Sequence, residues 1–351
     1  MKITDLSMSK LAMSKLGFTL ERWRSALAMF FLISTATTAA TEAADSLRYP
    51  GKTKRDALVR SAEQLEAKIE ADPNAVANYV GVADVQTFLW CYGFELHADA
   101  MPQCETAARR ALELAPNLAA AHTALGIVLL GQRNWDAAER ELRLATELEP
   151  GRAASFHWYA LYLAAMNRHG EAEKYSKHSA KLDSSSGMTI ARSSILYFKR
   201  DWQGMVDVLT PTIEQDVEYE AAYDWLGMAY VQQQRYDKAI PTYRRAAELS
   251  DGLAEVLGGL GHAYAVAGRE KEAREVLETM YRLAEHWHVP PVQIAFVHVG
   301  LGEKQQALDL LDLAYEQRSW ELVFLQVEPW LDDLRAEPEF IKLVEKMNFP
   351  K

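Results

Sequence analysis

Tyr223 to Leu249 reads YDWLGMAYVQQQRYDKAIPTYRRAAEL, and this stretch decides the fold. Apolar and small side chains recur every three or four positions in two runs, one on each side of a polar turn at residues 234–237. That spacing gives each run one apolar helical face. Gly227 and Ala239 are small enough for two antiparallel helix axes to approach closely, and larger residues beside them fill the groove. The stretch therefore predicts a helical hairpin.

The hairpin is repeated along the chain. One series of mostly small residues recurs at a spacing of 34, with a single spacing of 33: Cys104, Ala138, Ala172, Met205, Ala239, Ala273 and Ala307. A second series lies twelve positions before the first and has the same shortened step: Gly126, Ala160, Ser193, Gly227, Gly261 and Ala295. Two interleaved series with one shared deletion indicate true internal repetition, which is typical of stacked-repeat architectures.

A 34-residue period with Leu-Gly-x2-Tyr, then Ala-x3-large residue, then proline resembles the tetratricopeptide repeat. Leu226-Gly227-x2-Tyr230 and Ala239-x3-Tyr243 carry the resemblance, and Pro150 closes another repeat. Proline ends a helix because it has no amide proton to continue the hydrogen-bond ladder. The resemblance implies an all-α, right-handed superhelical solenoid of about seven helix-turn-helix repeats with a C-terminal capping segment.

Residues 55–349 also resemble a narrower group, the tetratricopeptide half of certain bacterial signalling proteins. The segments DPNAVANYVGVADV at 72–85 and GLGEKQQALDLLDLAYEQRSWELVFLQVEPWLDDLRAEPEF at 300–340 carry this resemblance. In that group the repeats follow a winged-helix, cyclase or protein-kinase domain. Here only a short leader precedes the repeats, so we expect any signalling output to come from another chain.

The repeat register divides the sequence. We assign residues 1–43 to a leader, 44–71 to a linker and N-terminal capping helix, 72–320 to the repeat array, and 321–351 to C-terminal capping helices. The first repeat is nine residues too long, and we place the surplus in an aromatic insertion at about 88–102. After residue 54 no Gly/Ser linker or charge block interrupts the chain, which favours a single solenoid domain.

The leader is typical of a secretory signal peptide. Residues 26–40 carry no charge, basic residues precede them, and small residues follow around Ala40. The uncharged run is short of the roughly 20 apolar residues that span a bilayer. We expect export and cleavage to a periplasmic or secreted protein. An uncleaved anchor facing the periplasm and a buried N-terminal helix remain alternatives.

Composition excludes several functions. The chain has 351 residues and a formal charge of −11; the leader is net +2, so the rest stands at −13. A protein that binds nucleic acid needs a basic surface, so we do not expect this acidic chain to bind nucleic acid. The 49% hydrophobic and 25% charged content is that of an ordered globular chain. Phosphate-loop, G-x-S-x-G and H-E-x-x-H motifs are absent from the sequence.

Two motifs could suggest chemistry, and we interpret both structurally. Gly258-Gly259-Leu260-Gly261 resembles a nucleotide loop, but Gly261 is in register with the helix-packing series. His286-Trp287-His288 falls at the predicted end of a helix, where histidines suit the helix dipole. We therefore predict no catalytic residue, no cofactor and no metal, and a protein that is not an enzyme.

Cys91 and Cys104 flank much of the aromatic insertion. In an oxidising compartment a disulfide between them would close this segment. Alternatively both are free thiols, with Cys104 serving as a small apolar packing residue of the first series.

The concave face of such a solenoid is lined by the first helix of each repeat. The repeat register places these residues there: Thr123, Ile127, Leu130, His157, Leu161, Asp224, Met228, Val231, His262, Val266, Phe296 and Val299. An apolar lining of this kind predicts a groove for a partner protein or peptide. The alternative is that the chain's own C-terminal segment fills it. The insertion aromatics, Phe88, Trp90, Tyr92 and Phe94, are a second candidate contact or a cap on the first repeat.

We therefore expect an adaptor or assembly factor of the cell envelope that binds a protein or peptide. The membrane would be involved only through an uncleaved leader. A ligand-sensing regulatory subunit is the alternative function, and a pocket near His262 and Phe296 would favour it. An enzyme is the remote alternative.

Overall fold

The computed structural model describes residues 54–250, 253–285 and 288–350. These residues form helices and turns, and no strand occurs among them, so the all-α prediction is confirmed. The leader assignment lies outside the described residues. In chain order the helices are α1 Lys54–Ala71, α2 Val76–Cys91, α3 His97–Leu114, α4 Ala119–Gly131, α5 Trp135–Leu148, α6 Ala153–Ala165, α7 His169–Leu182, α8 Ser186–Phe198, α9 Trp202–Gln215, α10 Glu220–Gln232, α11 Tyr236–Ser250, α12 Ala254–Val266, α13 Glu270–Ala284, α14 Pro291–Gly300, α15 Lys304–Gln317, two 3₁₀ helices at Trp320–Phe324 and Pro329–Leu334, and α16 Pro338–Met347.

The helices α2 to α15 pair into seven antiparallel hairpins. All seven residues of the first sequence series are fully buried between the paired helices. In the second hairpin a Cβ placed on Gly126 would lie 2.6 Å from Cγ of Leu142. A side chain at position 126 would therefore push the two helices apart, which is why the spacing of small residues follows the repeat.

Each hairpin turns at one residue in the left-handed backbone region. The seven residues have φ between 56° and 76° and recur with the repeat: Gly93, Arg133, Asn167, Arg200, Gln234, Gly268 and Gly302. In the second hairpin the amide of Asn134 donates to the carbonyl of Leu129, and that of Arg133 to Leu130. These bonds satisfy carbonyls at the end of the first helix and start the reversal of the chain.

Seven of the nine surplus residues of the first repeat extend its helices. The helix α2 is three residues longer than α4, and α3 is four longer than α5. The connection at 92–96 is two residues longer than the one at 132–134. The long hairpin reaches across the superhelix, since a Cβ on Gly93 would lie 2.2 Å from Cγ of Pro290, just before α14. The first and seventh repeats are thus in contact.

Three layers result from this arrangement. The outer helices bury one face only; α13, for example, buries Ala273, Leu277 and Met280. The inner helices α4 and α6 bury every residue. A helix that is apolar all round has to be covered on all sides. The third layer is the C-terminal tail, which we define as residues 318–350. No helix in the described part of the chain is long and apolar enough to cross a membrane.

Candidate functional site

The residues predicted to line the concave face lie on the inner helices and are covered. Ten of the twelve are buried, and Met228 and Val266 are half-buried. The C-terminal tail runs across the inner helices, with contacts to α2, α4, α6 and α14, instead of capping only the last repeat. The groove is therefore occupied by the chain itself.

The first 3₁₀ helix of the tail packs against α2, α4 and α6. The ring of Trp320 lies edge-on to Trp90 and Trp158, with centroid distances of 5.3 Å and 5.8 Å. Phe324 stacks on Phe198 of α8 at 4.4 Å. Aromatic pairs of this geometry each contribute roughly 0.5–1.5 kcal/mol beyond the burial of apolar area. Two aromatic side chains thus fix the start of the tail.

Polar contacts to the main chain hold the same segment in register. Trp90 Nε1 donates to the carbonyl of Arg318 at 3.0 Å. Gln326 Nε2 donates to the carbonyl of Ala165 at 2.6 Å, at the C-terminal end of α6. Carbonyls at a helix end lack partners within the helix, so the Gln326 bond satisfies a group that the groove leaves open.

Glu328 is the buried carboxylate of the tail. Its Oε1 accepts hydrogen bonds from the Tyr197 hydroxyl at 2.5 Å and from the amide of Trp330 at 3.0 Å. Burial is the largest influence on this group and raises the pKa of Glu328 to about 7, although both hydrogen bonds lower it. At neutral pH the carboxyl therefore lies near the midpoint of its titration.

The second 3₁₀ helix lies at the far end of the tail's path across the inner helices, where it contacts α12 and α14. Trp330 stacks on His262 and is edge-on to Phe296 at 4.9 Å. His262 Nδ1 lies 2.7 Å from the carbonyl oxygen of Phe296, and burial lowers the pKa of His262 to about 4. The imidazole is therefore neutral at pH 7 and can donate to this carbonyl from Nδ1.

The tail leaves a cavity of about 120 Å³ between itself and the inner helices. Four of the predicted concave-face residues line it: Leu161, Asp224, Met228 and Phe296. The other eight do not. Thr123, for example, hydrogen-bonds to Ser155 between α4 and α6 at 3.0 Å. His157 is buried, which lowers its pKa to about 3.

The sequence interpretation missed the side chains that fill the groove, namely Trp320, Phe324, Glu328 and Trp330. The signal that could have found them is the composition of α4, AAAHTALGIVLLG, and of α6, AASFHWYALYLAA. Both are apolar on every face. The outer helices cover one side only, so a second covering layer was required.

The aromatic insertion contacts both its own repeat and the tail. Phe88 and Trp90 are buried, and Trp90 meets Trp320 and Arg318 as described above. Tyr92 lines the cavity and lies 5.8 Å from Phe94, measured between ring centroids. The insertion is thus one wall of the groove.

Both cysteines are free thiols in the structure. Cys104 is fully buried, its Sγ lies 3.4 Å from the carbonyl oxygen of Ala83, and burial raises its pKa to about 12. Cys91 lines the cavity, and burial raises its pKa as well. A disulfide between them stays a prediction.

Within the described part of the chain, no three His, Cys, Asp or Glu side chains lie close enough together to hold a metal ion. His286 and Trp287 fall outside it, and His288 is half-buried. Gly261 lies in α12, and a Cβ there would be 2.7 Å from the side chain of Val297 in α14. This close approach accounts for the glycine by helix packing.

A family model described as tetratricopeptide repeat matches residues 230–282. Several solved structures share the fold at low sequence identity. Yeast Tom70 has a TM-score of 0.51 at 14% identity, covering 96% of this chain and 75% of that one. A Rap protein complexed with competence and sporulation factor has a TM-score of 0.54 at 13% identity, covering 84% and 92%. A monomeric IFIT1 mutant with Gppp-AAAA has a TM-score of 0.55 at 14% identity, covering 84% and 77%. No curated protein matches the sequence.

Proposed function

We propose that this chain, a helical repeat protein of the tetratricopeptide type, is a non-catalytic adaptor or assembly factor that binds a partner segment in its concave groove. The repeat fold itself is that of a protein–protein interaction module. The observation that carries the finer proposal is the occupied groove. The tail places in the groove the aromatic rings of Trp320, Phe324 and Trp330 and the carboxyl groups of Glu321 and Glu328.

Binding would proceed by exchange with the tail. A partner segment with similarly spaced aromatic side chains would take the places of Trp320, Phe324 and Trp330. Of the twelve residues assigned to the concave face, the four that line the cavity under the tail would then contact the partner: Leu161, Asp224, Met228 and Phe296. Met228 is the most open of them. The acidic surface of the chain would orient the partner and set the association rate more than the affinity.

The groove is tested by capture of partners from the native envelope with the tagged full-length chain. Trp330→Ala loosens the end of the tail and should increase capture, because the competing segment leaves more readily. Met228→Asp places a charge in the groove and should abolish capture. Ile341→Asp, on the exposed face of α16, is the control that should change nothing. Equal capture by all four proteins would refute binding in the groove.

The compartment is part of the same proposal. Export to the cell envelope rests on the pattern of the leader, with the mature chain released or anchored by an uncleaved leader. Mass spectrometry of the N-terminus of the captured protein tests this. A terminus near Thr41 or Ala44 supports cleavage after the small residues, and an intact leader in a soluble cytosolic pool contradicts export.

A ligand-sensing regulatory subunit that signals to a separate effector is the second candidate function, because a cavity is lined by Phe296 and by Trp330, which stacks on His262. A small molecule bound there would alter the fit of the tail and so the availability of the groove. A reproducible increase in melting temperature with one small molecule, surviving buffer controls, would favour this function. Turnover of a substrate that is lost on one point substitution would argue against both non-catalytic functions.

A further inference from the structure

The walls of the cavity carry acidic groups and no basic ones among the described residues. Asp224, Glu255, Glu321 and Glu328 line it. Asp224 lies in α10 and Glu255 in α12, while Glu321 and Glu328 belong to the tail, so the helices and the tail assemble the cluster jointly. Arg335 contacts the main-chain carbonyl of Glu328, while its charge pairs with Asp332 at 2.7 Å. Burial raises the pKa of Glu321 and Glu328, and a cation bound among these four carboxyl groups would favour their ionised forms.

Aromatic rings form most of the remaining wall. Nine of the twenty lining residues are aromatic, including Trp225, Trp320 and Trp330. The face of an aromatic ring attracts a cation, and tryptophan does so most strongly. Aromatic walls with carboxylates are the common environment of quaternary ammonium groups in proteins. The lining thus suits an organic cation better than a strongly hydrated metal ion.

Two buried donors in the wall have no hydrogen-bond partner. The hydroxyl of Tyr243 is on a fully buried side chain, and Trp330 Nε1 belongs to a ring that is 5% exposed. Both residues line the cavity. A buried donor without a partner is destabilising, so native structures rarely leave one unused. An acceptor oxygen on a bound molecule would satisfy either donor.

The size of the cavity limits the class of ligand further. A cavity on the order of 150 Å³ accommodates a molecule as large as benzene. The volume of about 120 Å³ therefore suits a small organic cation better than a nucleotide or a peptide.

We propose that the cavity between the tail and the inner helices binds a small organic cation that carries an acceptor oxygen, such as an amino alcohol or a quaternary ammonium alcohol. The carboxyl groups and ring faces bind the ammonium end, and Tyr243 or Trp330 donates to the oxygen. Ligand binding would pin the tail in the groove, since Glu321, Glu328 and Trp330 belong to the tail. The inference does not depend on the adaptor function, and it gives the sensing alternative its ligand class.

Isothermal titration calorimetry of the purified full-length chain tests the ligand class. Choline is the probe, and 3,3-dimethyl-1-butanol, which has the same shape without the charge, is the matched control. We expect one choline per chain and at least tenfold weaker binding of the neutral alcohol. No heat from choline up to about 10 mM, or equal binding of the two compounds, would overturn the proposal.

Variants of residues in the cavity wall test whether choline binds in this cavity. Glu321→Gln removes one cavity charge and should weaken choline binding at least tenfold, whereas Glu339→Gln removes an exposed charge on α16 and should leave it unchanged. Ser194→Leu fills part of the cavity without altering charge and should abolish binding. Choline binding that is equal in all three variants would place the ligand elsewhere and refute the site. Loss of partner capture with choline binding intact would count against the adaptor alone.

Discussion

The indole ring of Trp330 lies flat on the imidazole ring of His262, with centroids 4.4 Å apart and planes 20° apart. Their positions in the chain differ by 68, or two repeat periods, and the tail supplies one ring while the sixth repeat supplies the other. His262 is kept neutral by burial, so the pair needs no counter-ion. This stack fixes the far end of the tail on the concave face.

Trp330→Ala should therefore destabilise the protein by about 3–5 kcal/mol, the usual cost of removing a buried aromatic side chain. It should also make the tail more susceptible to limited proteolysis, because the stack with His262 and the edge contact with Phe296 are both lost. Trp330→Phe keeps an aromatic ring and should cost less. Chemical denaturation measures both free energies of unfolding. Equal losses for the two variants would mean that ring stacking contributes little.

Glu328→Gln should stabilise the protein above pH 7. Oε1 accepts both hydrogen bonds of Glu328, and a glutamine carbonyl keeps both acceptor roles. The folded pKa is about 7, against about 4.3 in an unfolded chain. Between these values the folded protein retains the proton and the unfolded chain releases it, so wild-type stability falls as pH rises.

The free energy of unfolding of Glu328→Gln should thus exceed that of the wild type by an amount that grows from pH 4.5 to pH 7. Above pH 7 the difference should level off at a value on the order of 3 kcal/mol. Denaturation at several pH values measures it. His262 has the opposite influence, because its lowered pKa makes stability rise between about pH 4 and 6.5. That contribution is present in both proteins and cancels in the difference. A difference that shrinks as pH rises would contradict the assignment, and Glu328→Ala should be destabilising because it strands the Tyr197 hydroxyl.

Gly126→Ala should lower the free energy of unfolding by about 1–3 kcal/mol, since the added methyl group would overlap Leu142 in a packed core. Gly151→Ala is the control. A Cβ there meets no atom within 4 Å, and the change should stay within about 0.5 kcal/mol. Leu142→Ala should cost less in the Gly126→Ala background than alone, because the smaller side chain makes room. Strictly additive losses in thermal denaturation would show that the two positions do not share this contact.

Gln234→Gly should raise the free energy of unfolding by about 0.5–1 kcal/mol. Gln234 has φ of 56° and an exposed side chain, and a left-handed backbone strains every residue with a Cβ. The fifth turn would then match the sixth, which has Gly268. The neighbouring Gln233 has φ of −82°, so Gln233→Gly should lower stability instead. The two variants differ by one position, and the sign of their difference in melting temperature tests the role of the turn.

The repeat pattern was predictable from sequence because it depends on local packing. Cys104 and Met205 replace alanine in the first series, yet both are fully buried at the position that the spacing assigns. The exchange of a small residue for a larger apolar one changes the local fit and leaves the register intact.

The arrangement of the tail could not be derived in the same way. Trp320 and Trp330 belong to 3₁₀ helices without a repeat period, and their partners Trp90 and Phe296 are at opposite ends of the array. Which distant residues meet depends on the superhelical curvature. The cavity follows from that curvature too, since only four of the twelve residues assigned to the concave face line it.

The hydrogen bond from Trp90 to the carbonyl of Arg318 joins residues 228 positions apart. Stacked repeats ordinarily contact only their neighbours, so their folding can begin anywhere and spread. Here the contacts between the first repeat and the tail raise the contact order, and the loop they close includes almost the whole array. We therefore expect the chain to unfold in one cooperative transition and to fold slowly, with the final structure reached only after the C-terminal residues have been synthesised.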